Sequence, residues 1–74
     1  MKGRKEPVRV KKYTVVPNKD ATTWLLKIED VAPYEEFDKQ SKAIEAGMKL
    51  AEANRPSQLM IFDENHEQQG IQTF

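Results

Sequence analysis

Cysteine is absent from the 74-residue chain, which has one histidine, His66, and only three glycines. Without cysteine the chain forms neither disulfides nor thiolate metal sites, which are the usual cross-links that stabilise very small folds. Its stability must therefore come from an apolar core or from self-association, because a domain of this size buries only roughly 60% of its unfolded surface. The absence of cysteine also fits a reducing compartment.

Long apolar runs are absent as well. No stretch approaches the roughly 18 apolar residues that a membrane-spanning helix needs, and the charged N-terminus lacks the apolar segment of a signal peptide. We therefore expect a soluble, cytoplasmic, single-domain protein.

The formal net charge is zero, but the charges are unevenly distributed. Residues 1–12 carry six cations and one carboxylate, Glu6, which gives +5. Residues 13–74 carry the other six cations and eleven carboxylates, which gives −5. This split predicts a flexible basic arm over residues 1–9 and one α+β domain over residues 10–74.

Two strands are predicted early in the chain. The β-branched stretch "VRVKKYTVVP" predicts a strand from Val10 to Val16, which ends before Pro17. After the turn residues "NKDAT", the stretch "TWLLKIE" alternates with period two. This alternation places Trp24, Leu26 and Ile28 on one face and Leu25 on the other. The segment "DVAPYEE" contains Pro33 and clustered carboxylates, so we interpret it as a connector.

The period then changes to that of an amphipathic helix from Asp38 to Asn54. One arc contains mainly small and apolar residues, while the opposite arc is charged. Asp38 is predicted to cap the first turn. Gly47, which lies between Ala43 and Ala51, predicts a ridge of small residues close to a sheet.

Two further strands complete the predicted fold. The stretch "QLMIF" is apolar at both parities, as in a strand that is covered on both faces. The loop "DENHEQQG" separates it from "GIQTF", the predicted last strand. The predicted fold class is α+β, in the order β-β-α-β-β, with one antiparallel sheet and a single helix across one face.

Three stretches carry a resemblance to a known family. They are "KYTVVPN" from Lys12, Trp24 at the start of the second strand, and "FDKQSKAIEA" from Phe37. They resemble a bacterial and phage family of small proteins of unknown function, over most of residues 12–74. The basic arm lies outside this match, and the resemblance implies no activity, cofactor or partner.

No constellation of residues predicts an enzyme or a metal site. The loop from Asp63 offers oxygen ligands at alternate positions, but Gln68 and Phe74 occupy the places where a calcium loop needs Gly and Glu. The single histidine and the two serines, Ser41 and Ser57, lie outside any nucleophile motif. We therefore expect no catalytic residue, no metal, no cofactor and no small-molecule substrate.

The first functional hypothesis is a protein-interaction module. One helix covers one face of a sheet, so apolar residues on the second face should form an exposed patch, which typically marks an interface. Either a second copy of the chain or another protein would cover it, unless Val31 and Tyr34 of the connector do so. The candidate interface residues are Tyr13, Val15 (or Val16), Leu25, Met60 and Phe62.

The alternative hypothesis is binding of nucleic-acid phosphates through the basic arm. Tyr13 would then be available for stacking on a base. The opposing interpretation is that the arm is solvated and that two lysines of the first strand, Lys11 and Lys12, protect an edge strand from aggregation. The candidate phosphate contacts are Lys2, Arg4, Lys5, Arg9, Lys11 and Lys12.

Overall fold

The computed structural model describes residues 10–29 and 31–74, with the backbone alone for residues 31–34. The predicted arm, residues 1–9, lies outside the described residues. Six elements follow one another: β1 (Lys11–Pro17), β2 (Trp24–Ile28), β3 (Val31–Phe37), α1 (Gln40–Ala53), β4 (Ser57–Phe62) and β5 (Gln68–Thr73). They confirm the α+β class with a single helix among the described residues.

The five strands form one mixed sheet in the order β3-β2-β1-β4-β5. β1 and β4 run parallel, whereas every other neighbouring pair is antiparallel. The prediction of a purely antiparallel sheet was therefore wrong. β3 runs in the direction of β1, and the crossover through α1 restores that direction, so β4 can join β1 only as a parallel strand.

β3 was predicted as a connector, and this interpretation was also wrong. It pairs with β2 through Trp24↔Phe37, Leu25↔Glu36 and Leu26↔Glu35, with an irregularity before Ile28↔Val31. Pro33 lacks a backbone donor, yet it is tolerated because β3 is an edge strand and pairs on one side only.

The core lies between α1 and one face of the sheet. Val15, Leu26 and Leu59 are fully buried there with Ala43 and Ala51. A Cβ atom on Gly47 would lie 2.9 Å from Cδ1 of Leu59 and 3.2 Å from Cδ1 of Leu26. The predicted ridge of small residues is thus confirmed, because α1 approaches the sheet too closely for a larger side chain.

The helix begins slightly later than predicted. Its N-cap is Lys39, which makes no side-chain capping hydrogen bond. Asp38 instead lies 3.5 Å from Nζ of Lys42, and both side chains are exposed. At the other end, the Ser57 hydroxyl donates to the Ala51 carbonyl at 2.6 Å and links the last turn to β4.

Side-chain hydrogen bonds shape the two hairpin turns. Asn18 Oδ1 accepts from the backbone N–H of Thr22 at 2.8 Å, as expected of the turn "NKDAT". Asp63 Oδ1 accepts from the N–H groups of Asn65 and Glu67 at 2.8 and 3.0 Å. The second loop is shorter than predicted, since β5 begins at Gln68 rather than Gly70.

Candidate interaction surface

The face of the sheet opposite α1, here called the open face, is covered by no helix or strand among residues 10–29 and 31–74. Side chains at successive strand positions alternate between the two faces, and register partners share a face. Since Tyr13, Val15 and Leu26 lie under α1, their strand neighbours point to the open face. The alternative in which Val31 and Tyr34 cover this face depends on two side chains that lie outside the described residues.

The open face has an apolar part and a polar part. In the polar part, Thr14 is in register with Lys27, and Gln58 is in register with Lys12 and Thr73. The apolar part lies nearer the C-terminal ends of β1 and β4, and it consists of Val16, Leu25, Met60, Phe62 and Ile71.

Exposure varies strongly within the apolar part. Leu25 is only 8% exposed, whereas Ile71 is 46% exposed. Met60 and Phe62 are half-buried, and Met60 is in register with Ile71. The accessible apolar surface is therefore concentrated on the β4–β5 side. We call Met60, Phe62 and Ile71 the β4–β5 patch.

The structure corrects two of the predicted interface residues. Tyr13 is 3% exposed and Val15 is fully buried, and both belong to the core under α1. Neither side chain can therefore contribute to a contact on the second face, and Tyr13 is not available to stack on a base. Leu25, Met60 and Phe62 do lie on the open face, together with Val16.

Of the six candidate phosphate contacts, only two lie within the described residues. Lys11 and Lys12 are exposed, whereas Lys2, Arg4, Lys5 and Arg9 lie outside the described residues. The backbone N–H of Glu29 donates to the Lys12 carbonyl at 3.0 Å, which brings a carboxylate-bearing residue opposite that lysine. A cation and a carboxylate-bearing residue are therefore neighbours at this end of β1.

A groove of about 400 Å³ lies between the start of α1 and the β4–β5 hairpin. Gln40 of α1 links the helix to the hairpin, since its Nε2 donates to the Phe62 carbonyl at 3.1 Å and to Oε1 of Gln69 at 3.0 Å. The lining contains no histidine, serine or cysteine, and its ionisable side chains are the carboxylates of Asp63 and Glu64. It consists of Trp24, Gln40, Asp63, Glu64, Asn65 and Gln69.

The residues considered for catalysis lie apart from one another. His66 is exposed in the β4–β5 turn, and the Ser57 hydroxyl is buried against the Ala51 carbonyl. Ser41 is exposed in the first turn of α1. No three metal-binding side chains converge among the described residues, and no helix in the described ranges is long and apolar enough to cross a bilayer.

The fold and this surface define a small α+β protein with one helix on a mixed five-stranded sheet. Residues 13–74 match the model of a family described as "Uncharacterized protein conserved in bacteria (DUF2188)", and the chain belongs to this family. It is 40% identical over 55 residues to the uncharacterized protein YycD of Bacillus subtilis (strain 168), a match that covers 74% of this chain and 83% of that protein. No solved structure gives a significant match. The resemblance to a small bacterial family of unknown function is confirmed.

Sequence reasoning missed Ile71, the most exposed member of the β4–β5 patch. The signal was present, because Ile71 is the one large aliphatic residue in the otherwise small and polar stretch "QQGIQT". Its exposure follows from the position of β5 at the edge of the sheet.

Proposed function

We propose that this protein is a non-enzymatic protein-interaction module that forms a homodimer through the β4–β5 patch of its open face. The observation that carries the proposal is the position of Ile71, 46% exposed and in register with half-buried Met60. Contiguous accessible apolar area on one side of a sheet is typical of an interface.

A second copy is a suitable occupant for this surface. A two-fold axis places the same patch on both sides of the contact, as in most homodimers, and two sheets pack face to face at about 10 Å. The patch contains no charged residue, and the formal net charge of the chain is zero. Two copies therefore approach without long-range repulsion.

The non-enzymatic part of the proposal is supported by the placement of the polar side chains. A hydrolytic or acid–base site needs a nucleophile or base within hydrogen-bond reach of a partner group. The Ser57 hydroxyl is already bonded to Ala51, and His66 lies in an exposed turn. In the groove between α1 and the β4–β5 hairpin, Asp63 Oδ1 already accepts from the N–H groups of Asn65 and Glu67, and Glu64 is exposed.

Substitution of Met60 by lysine tests the proposed homodimer. Met60→Lys places a charge in the patch, and we expect sedimentation velocity at micromolar concentration to show loss of one association step. Gln58→Lys is the matched control, because Gln58 lies on the same strand and the same face but in the polar part, and it should associate as the native chain does. Far-UV circular dichroism checks that both variants are folded.

Equal association of Met60→Lys and the native chain would contradict the proposal. The native chain could instead be monomeric at all concentrations and bind another protein, with that binding lost in Met60→Lys. This result would show that the patch is an interface, but that its partner is another protein rather than a second copy.

Phosphate-backbone binding by the basic arm remains the second candidate, supported by the six cations among residues 1–12. If all six contact phosphates, the logarithm of the binding constant should fall with the logarithm of salt concentration with a slope of about −5. The test is a salt titration of duplex and single-stranded nucleic acid with the full chain and with a chain that starts at Lys11. Equal binding by both would exclude a role for the arm.

A further inference from the structure

The two edge strands of the sheet differ in their protection against an added strand. β3 carries Pro33, Glu35 and Glu36 within seven residues. Proline lacks a donor, and edge charges disfavour pairing with another chain. β5 contains neither a charge nor a proline in its six residues, and all but Gly70 are exposed. One edge is therefore protected and the other is not.

The hydrogen bonds of β5 determine which of its backbone groups face outward. Ser57 N–H donates to the Phe74 carbonyl at 3.0 Å, and Phe74 N–H donates back at 2.8 Å. Hydrogen-bonded and non-hydrogen-bonded pairs alternate along an antiparallel ladder. In the observed register, Gln72 therefore bonds to Leu59 of β4, whereas Ile71 and Thr73 direct their N–H and C=O groups away from the sheet.

We infer that β5 pairs antiparallel with β5 of a second copy of this chain, about a two-fold axis at Gln72. Ile71 then opposes Thr73 of the second copy, and Thr73 opposes its Ile71. Each of these pairs exchanges two backbone hydrogen bonds, which satisfies the outward groups of both strands. The irregularity between Gly70 and Gln68 limits the pairing to the residues from Gly70 onward.

A second copy fits this edge better than a charged peptide does. Like charges that oppose each other across a strand pair are destabilising, and self-pairing of β5 opposes none, because Gln68–Thr73 is uncharged. The same neutrality gives an acidic or basic peptide no ion pair at this edge. Antiparallel pairing also keeps both open faces on the same side, with the two Ile71 side chains as diagonal neighbours.

Edge pairing is independent of the proposed function, because it uses the backbone of β5 rather than the side chains of the β4–β5 patch. If both contacts form, two edge-paired sheets pack face to face and the assembly contains four copies. If only one forms, the assembly contains two copies, and variants show which contact is present.

Thr73→Pro tests the edge contact. The variant removes an outward N–H that takes no part in the β4–β5 ladder, so we expect the fold to be retained and one association step to be lost in sedimentation velocity. Thr73→Val is the matched control, since it keeps the N–H and the β-branched shape, and it should associate normally. Unchanged association of a folded Thr73→Pro would overturn the inference.

Amide hydrogen exchange of the native chain provides a second readout that requires no variant. Exchange at Ile71 and Thr73 should slow by about tenfold or more as association becomes complete. Gln72 serves as the internal reference, because its N–H is bonded to β4 within one copy. Rates at Ile71 and Thr73 that do not depend on protein concentration would also overturn the inference.

The two proposals fail separately. Loss of association in Thr73→Pro but not in Met60→Lys supports the edge contact and contradicts the homodimer through the patch. The reverse result supports the patch and contradicts the edge contact. Four copies in the native chain and two in each single variant support both.

Discussion

The two faces of the sheet contain similar apolar residues, but these residues are covered to different extents. Under α1, Val15, Leu26 and Leu59 are fully buried. On the open face, Leu25 is 8% exposed and Ile71 is 46% exposed. A helix of 14 residues covers one face, so the apolar residues of the other depend on neighbours within the sheet or on another molecule. Among the described residues, the helix-covered face therefore contains the core, and the open face contains the most exposed large apolar residue of the strands, Ile71.

The consecutive residues Leu25 and Leu26 allow the two faces to be compared directly. They are chemically identical and both are buried, but consecutive side chains on a strand point to opposite faces. Leu26 belongs to the core cluster with Ala43 and Leu59, whereas Leu25 pairs with Val16 on the open face. Truncation of each therefore measures what its own face contributes to the free energy of unfolding.

The largest effect is expected from Leu26→Ala. Leu26 lies against Gly47, where the helix approaches the sheet most closely, so the surrounding backbone cannot collapse into the space that truncation leaves. We expect a loss of about 2–5 kcal/mol in the free energy of unfolding, measured by urea denaturation. A loss below that of Leu25→Ala would contradict the assignment of the core to the helix-covered face.

A smaller effect is expected from Leu25→Ala. This residue lies on the face without a helix, where solvent and flexible side chains can fill the space that truncation leaves. The cavity contribution to the destabilisation is therefore small. Most of the loss comes from the hydrophobic free energy of the removed carbon groups. We expect a loss of about 2 kcal/mol, measured in the same denaturant series. A loss equal to that of Leu26→Ala would show that the open face around Leu25 is packed as tightly as the core under α1.

Much of the local structure follows from the sequence. The helical period predicted α1 within two residues at each end, and the charged arc opposite the arc of small residues predicted which side of the helix faces the sheet. Alternation also placed Leu26 and Leu25 correctly on opposite faces. It failed for β1, where "YTVVP" offers a valine at each parity, so the pattern could not show that Tyr13 and Val15 lie under α1 and Val16 does not.

Strand identity at the edges was harder to predict. Pro33 and two glutamates argued against a strand at Val31–Phe37, yet an edge strand needs partners on one side only and tolerates all three. The position of β5 opposite β3 at the other edge is equally nonlocal. Proline and charged residues are compatible with an edge strand, but whether a strand lies at an edge also depends on the order in which all the strands pair.

The family, the α+β class, the helix and its ridge of small residues were predictable from the sequence, because these depend on local periodicity and on stretches of consecutive residues. Three features emerged only from the fold: β4 runs parallel to β1, Ile71 shares the open face with Met60, and the uncharged strand β5 lies at an edge. These features depend on which strands become neighbours through the α1 crossover. Contacts between residues far apart in the chain control that choice, and no short stretch of sequence specifies it.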